Sequence, residues 1–382
     1  MKIEVFSPTI RRKEMDAVLT ALVEDKIGPG EQGRLLIQHA KEHLKFDYCL
    51  ALRSPAIALH IALKALDFKD GQGVVLSALS PRYYREVLRE LRLAPLYADV
   101  ENGSPLMGKA AIEAAVGREK AVEARCILLH HSLGFLPRSQ EIASLGLPVI
   151  EDRSESFGSG AGIPPGGEDP KGNPAKDSGS LKESSSFRDS GLAVYSIMGL
   201  EERDMLTGGG GALLYAASRR DGSALRNFAG LPPEYCLPDM NAAMAVIQLR
   251  ESERNLERRR EIAQVYGQAA QRTRHRRFAI DDELSYNNYA FPLILETGVK
   301  DVKAYARKKD ILVEGAFART LMGAIAENGA EGGWEAEQAG GLNRENCPEA
   351  YSLSLRTVLF PLYPRLSSAE VDRISKLIQT LP

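Results

Sequence analysis

The chain has 382 residues, 44% of them hydrophobic and 26% charged, with a net charge of −2. This composition excludes a disordered polar chain and suits one large domain with a sizeable core plus a smaller one. The near-neutral balance gives no general attraction to nucleic acid or acidic membranes, and no run approaches the roughly 18 apolar residues that span a bilayer. Cys49, Cys126, Cys236 and Cys347 lie far apart with no C-x-x-C pair, so neither a zinc site nor a disulfide framework is expected. The opening residues MKIEVFSPTIRRKEMD hold no apolar core of signal-peptide length, and a reducing cytoplasm is the expected location.

The first helix is expected in RRKEMDAVLTALVED, where Met15, Val18, Leu19, Leu22 and Val23 recur at helical spacing and predict a buried face. YCLALRSPAIALHIALKALDF then reads as strand, turn and helix, with Ser54 as N-cap and Pro55 at the first helical position. Apolar runs alternate with helical patterns after that. GVVLSAL, APLYADV, ARCILLHH and LPVIED are strands, PRYYREVLREL is a helix, and a short helix spans about Ser139 to Leu145. The alternation predicts an α/β fold, a mostly parallel sheet sandwiched by helices. Ligands of such sheets sit at the carboxyl ends of the strands, where Asp152 and Ser54 both fall.

The stretch at about 159–190 is rich in Gly, Pro and Ser without periodicity and reads as a long mobile surface loop. AVYSIMGLEERDMLTGGGGALLY resembles two short strands around a glycine turn. Asp239 is expected to cap one long helix through DMNAAMAVIQLRESERNLERRREIAQVYGQAAQ. A strand in YAFPLIL, a helix near Lys300 to Lys309, a strand in ILVEGA and a closing helix with a Ser367/Glu370 capping box follow. The division expected is 1–255 for the large domain and 256–382 for a smaller α+β C-terminal domain.

The segments SPAIALHIAL, HSLGFLP, LPVIEDRSESFGS, GGGGALLY, NAAMAVIQLRESERNLERRREIAQVY and LFPLYPRLSSAEV, in this order and spacing, resemble the DegT/DnrJ/EryC1/StrS family of sugar aminotransferases. The resemblance implies a fold type I scaffold, pyridoxal phosphate as cofactor, amino transfer from glutamate to a keto group of a nucleotide-linked sugar, and a homodimer. It also implies a lysine that forms an imine with the cofactor. Its position falls on Glu201, Glu202 or Arg203, and no lysine occurs between Lys182 and Lys300.

The implied phosphate cradle Ser-Gly-Thr reads Ser54-Pro55-Ala56, so one N–H and one hydroxyl are lost. The counterparts of the stacking aromatic are Pro81, Tyr83 and Tyr84. The second subunit's Gly-x-Asn-x-Arg falls on Pro232–Cys236, without its asparagine and arginine. Asp152 matches the aspartate that bonds the pyridine nitrogen, while Glu155 replaces a glutamine and Phe157 a histidine.

Asp152, Ser54 and Glu155 are therefore read as a remnant cofactor site with no catalytic residue and no metal. The expected protein is a catalytically degenerate relative that binds no cofactor covalently. It would act as a binding or partner subunit, a homodimer or a heterodimer with an active aminotransferase, with a nucleotide sugar as candidate ligand and no nucleic-acid or membrane partner. The alternative is an active pyridoxal-phosphate-dependent sugar aminotransferase using Lys171, Lys176 or Lys182 from the 159–190 loop. A third reading, a different enzyme reusing the crevice, has no residue in its favour. The glycines Gly208 to Gly211 are read as a tight turn and His130 and His131 as structural. The basic cluster Arg258, Arg259, Arg260, Arg272, Arg274, Arg276 and Arg277 is read as a solvated helix face.

Overall fold

A computed structural model of the chain describes residues 2–161, 193–280, 284–328 and 341–382. Most of the stretch read as a mobile loop, with Lys171, Lys176 and Lys182, lies outside the described residues. Two helices come first, α1 (Arg12–Val23) and α2 (Glu31–Leu44). The central sheet takes β1 (Tyr48–Leu52), β2 (Gly73–Ser77), β3 (Ala94–Ala98), β4 (Ala124–His130) and β5 (Val149–Asp152). After a separate short strand, β6 (Gly160–Ala161), it is completed by β7 (Ala193–Gly199) and β8 (Ala212–Ala216). Its order is β1-β8-β7-β5-β4-β2-β3, parallel except for β8, which runs against both neighbours.

Helices α3 (Pro55–Ala65), α4 (Tyr83–Glu90), α5 (Lys109–Arg118) and α6 (Ser139–Ala143) connect the parallel strands, and α7 (Arg219–Arg226) follows β8. The strands are apolar on both faces because both are covered. Val74, Leu76, Leu128 and Ile150 face a core shared with Leu59 and Ala62 of α3. The alternate residues Val75, Ile127 and Leu129 face one shared with Ile112 of α5 and Ile142 of α6.

The chain continues through α8 (Asp239–Arg250) and α9 (Ser252–Ala270). A three-stranded antiparallel sheet follows, in the order β10-β12-β11. Its strands are β10 (Phe291–Ile294), preceded by β9 (Leu284–Ser285), then β11 (Glu314–Gly315) and β12 (Thr357–Phe360). The helices of this part are α10 (Val299–Arg307), α11 (Leu321–Asn328), α12 (Pro348–Arg356) and α13 (Ser368–Gln379). Their core joins Ile262 and Tyr266 of α9 to Leu293, Val302, Phe360 and Ile374. The α13 capping box forms as read, with Ser367 and Glu370 bonding each other's backbone N–H.

Three expectations are corrected. The apolar stripe of α1 is not a buried face: Met15 and Leu19 are 56% and 57% exposed. The helix turns the buried Glu14 inward instead. One of its carboxylate oxygens accepts from Arg11 N at 2.9 Å and the other from Gln248 Nε2 at 2.9 Å. Polar bonds to α8 thus set the rotation of α1, and the stripe faces outward.

The long helix is broken at Glu251 into α8 and α9, and Asp239 does not cap it. Its carboxylate accepts from Gly30 N at 2.9 Å and Gly33 N at 3.1 Å. Those donors open α2, whose N-cap Gly30 has no side chain to serve them. The basic cluster is not all solvated either. Arg259 is buried, and its Nη1 donates to the carbonyls of Asn288, Tyr289 and Leu362 at 2.9 to 3.1 Å, tying α9 to the segments around β10 and β12. Desolvation lowers its pKa to about 10.

Replacing Asp239 by Ala leaves two helix N–H groups without their acceptor. Stability to urea is expected to fall by about 1–3 kcal/mol, with a smaller loss for Asp239→Asn, which keeps one acceptor oxygen.

Candidate functional site: an acidic crevice at the strand ends

The parallel strands end on one edge of the sheet. Asp152 closes β5 and is buried, as parallel pairing with β4 and β7 requires. Ser54 follows β1, which runs parallel to β7, so it lies at the same end. The order β1-β8-β7-β5 separates the two by three strand spacings, roughly 14 Å. Ser54 is half-buried and spends its Oγ on Ile57 N at 3.2 Å, the capping bond of α3. Pro55 occupies the first helical position and is buried.

Every oxygen of Asp152 is engaged. Oδ2 accepts from Tyr84 Oη at 2.6 Å and Tyr83 Oη at 3.0 Å. Oδ1 accepts from Ser154 N at 3.0 Å and Ser154 Oγ at 2.5 Å. The tyrosines read as counterparts of a stacking ring therefore reach the aspartate with their hydroxyls. They are edge-on to each other, with ring centroids 4.9 Å apart. Ser154 Oγ also accepts from Gly199 N at 2.8 Å, which binds the end of β7 to the same cluster.

Glu155 Oε2 accepts from Leu133 N at 2.5 Å, and its side chain is 22% exposed. Burial pushes its pKa up to about 8; the Leu133 N–H opposes this, and the charges of Asp204 and Asp152 add to it. Leu133 has φ 56 and Gly134 φ 83. The Glu155 bond thus holds a residue in the left-handed region, which a leucine rarely adopts. Phe157 is buried among Met198, Leu206 and Val246, and its carbonyl accepts from Asn287 Nδ2 at 2.9 Å.

The loop after β7 is arranged in a way that counting along the sequence did not reveal. Glu201 and Glu202 are exposed. Arg203 Nη1 donates to Glu314 Oε1 of β11 at 2.5 Å, and its guanidinium lies 4.6 Å from the Phe6 ring centroid. The residue that turns into the crevice is Asp204. Its Oδ2 accepts from Glu201 N at 2.8 Å and packs where a Cβ on Gly199 would sit. Burial raises its pKa to about 7 against the opposing Glu201 N–H, and Asp152 and Glu201 push it further up. The glycine turn has Gly209, Gly210 and Gly211 at positive φ, with Gly208 N and Gly210 N donating to Leu200 O.

His130, at the end of β4, and His131 point to opposite sides. His131 Nδ1 meets Ser156 Oγ at 2.8 Å. His130 lies between Asp152 and Glu155. No group of three or more His, Cys, Asp and Glu among the described residues is arranged to hold a metal ion. Pro233–Tyr235 forms an exposed helical turn.

Known proteins place this architecture. A model of the DegT/DnrJ/EryC1/StrS aminotransferase family matches residues 8–187 and 219–379. Among solved structures, the chain is similar to the aminotransferase TlmJ from Streptoalloteichus hindustanus, with 18% identity over 99% of this chain and 98% of that one and a TM-score of 0.77. It is similar to Spr1654 from Streptococcus pneumoniae in its PLP form, with 15% identity over 100% and 98% and a TM-score of 0.80. A family member from Brucella abortus gives 18% identity over 96% and 94% and a TM-score of 0.77. The mostly parallel sheet flanked by helices is the fold they share. No helix among the described residues is long and apolar enough to cross a membrane.

The raised acids set a pH dependence. Glu155 and Asp204 keep their protons in the folded state up to about 8 and about 7, whereas the unfolded chain releases them at their ordinary carboxylate values. Stability is then fully present at low pH and is lost as pH rises through these values. Urea unfolding across this range should show a loss on the order of a few kcal/mol. Glu155→Gln and Asp204→Asn should each flatten the profile.

Proposed function

Since the chain belongs to the DegT/DnrJ/EryC1/StrS aminotransferase family, we propose that it is a member that has exchanged cofactor chemistry for binding, and that it acts as a partner or ligand-binding subunit. The observation that carries this reading is the state of Asp152. A pyridine nitrogen would have to displace the Tyr83 and Tyr84 hydroxyls from Oδ2. The rest of the site supports the same reading. Arg203, one of the three expected lysine positions, is committed to Glu314, Glu201 and Glu202 are exposed, and the neighbouring Asp204 adds a carboxylate bonded by Glu201 N. At the phosphate end, Pro55 offers no N–H and Ser54 Oγ is used in capping α3. These residues do not fit pyridoxal phosphate, and no reaction step is routed through it.

A two-fold dimer is part of the proposal. Met15, Leu19, Leu22 and Val23 of α1 are exposed, and the first three line a groove of about 240 Å³ with Ile10, Val18 and Met244. Apolar surface of this kind calls for a partner, and a second copy of the chain would cover it isologously. Light scattering is expected to give twice the 41.8 kDa chain mass, and Leu19→Asp to shift the population toward monomer.

The cofactor reading is tested by adding pyridoxal phosphate, recording visible absorbance, and reducing with borohydride before peptide mapping. No visible band and no pyridoxyl-lysine are expected, for the native chain and for Arg203→Lys alike. A pyridoxyl group at full occupancy on Lys171, Lys176 or Lys182 would establish the alternative, an active sugar aminotransferase with a loop lysine.

A further inference from the structure

A small cavity lies where α8 passes into α9, between Phe157 after β5 and Pro364 after β12. Its polar wall is made by Thr9, Gln248, Ser252, Asn255 and Arg259. The four helical residues are spaced by four, three and four, so they share one face across the break at Glu251. All five are more than nine-tenths buried. A helix face turned into the protein is ordinarily apolar, and polar groups at this depth ask for partners.

Part of that demand is met inside the fold. Gln248 Nε2 donates to Thr9 O at 2.7 Å and to Glu14 Oε1 at 2.9 Å, and Arg11 Nη1 donates to Asn255 Oδ1 at 3.1 Å. The Arg11 bond fixes the Asn255 amide and leaves its NH2 group as a donor. Thr9 Oγ1, Ser252 Oγ and Asn255 Nδ2 make no hydrogen bond among the described residues, and Arg259 uses only Nη1, on three carbonyls. Donors are thus in surplus around the cavity. So is positive charge. Arg254, Arg258 and Arg260 pair with Glu251, Glu261 and Glu257, whereas Arg259 pairs with no carboxylate among the described residues. Arg11 and Glu14, which reach the wall through Asn255 and Gln248, carry opposite charges. The three carbonyls solvate Arg259 but bring no net charge to it. Burial lowers its pKa, opposed by Tyr289 and Tyr286, which burial itself keeps neutral.

The cavity measures about 10 Å³, close to the least that takes one water-sized sphere. Phosphate and carboxylate are excluded by size, while one water or one monatomic anion is admitted. We propose that it binds a single monatomic anion, chloride, with Arg259 as the compensating charge and Thr9 Oγ1, Ser252 Oγ and Asn255 Nδ2 as neutral donors. The anion completes the partners of a buried cation and ties Thr9 of the N-terminal segment to α9. The proposal does not rest on the reading of the Asp152 crevice, and it stands or falls separately from it.

The test is urea unfolding of the full chain in sodium chloride and in sodium gluconate at matched ionic strength. A ligand that binds only the folded state shifts the equilibrium by its excess over the dissociation constant. The folded-to-unfolded ratio is expected to be at least about fivefold higher in chloride, with saturation as chloride rises. Asn255→Asp keeps the side-chain volume and puts a carboxylate in the cavity with Arg259. Its chloride dependence should fall below about twofold, while its stability in gluconate equals or exceeds that of the native chain. Arg254→Gln, on the exposed side of α9, should keep the full dependence, which separates the cavity from salt acting on the surface. Equal ratios in the two salts, an unchanged dependence in Asn255→Asp, or its loss in Arg254→Gln overturns the proposal. Crystals of the native chain soaked in sodium bromide give the position and decide alone if Asn255→Asp does not fold. An anomalous peak bounded by Ser252, Asn255 and Arg259 is expected. A water there, with bromide on exposed side chains as an adventitious ion only, overturns the proposal.

Discussion

The buried carboxylate of Asp152 is the constraint around which the crevice is built. A carboxylate out of water is expensive unless its oxygens are hydrogen-bonded, and here four donors serve it from α4 and the turn after β5. Two of them come from consecutive tyrosines, so α4 is fixed against the strand ends by the charge it covers. Ser154 passes the constraint on by accepting from Gly199 at the end of β7. The position of the loop that carries Arg203 and Asp204 follows from that bond.

The loop then sorts its two central charges to opposite sides. Arg203 goes outward to Glu314 and Phe6, joining the large sheet to the small one. Asp204 goes inward, next to Asp152 and Glu155. Three acids at close quarters persist because two of them hold their protons near neutrality, which removes most of the repulsion.

Much of the fold was legible from local patterns. The continuous apolar strands GVVLSAL and ARCILLHH announced a sheet covered on both faces, and their alternate residues do enter two different cores. Ser54-Pro55 and Ser367/Glu370 marked helix starts that formed as read. Of the remnant site, Asp152 and Ser54 were both read at the carboxyl ends of the strands, and the Ser54 cap formed as read. What misled was the assumption that periodicity decides burial. The α1 stripe has the right spacing, but Glu14 and its bonds to α8 turned that stripe outward. Asp239 looked like a cap for its own helix and serves α2, 209 residues away in sequence.

The sequence by itself determined the family, the mostly parallel sheet and the absence of any lysine between Lys182 and Lys300. These follow from residue types read one segment at a time, because backbone propensity and helix capping depend on near neighbours in the chain. Only the tertiary structure decided that Asp204, rather than Arg203, faces the crevice, that Tyr83 and Tyr84 occupy Asp152, and that Arg259 is buried. Each of these depends on which groups meet across elements far apart in sequence. The cost of leaving a buried charge or N–H without a partner settles them, and that cost exists only once the core has closed.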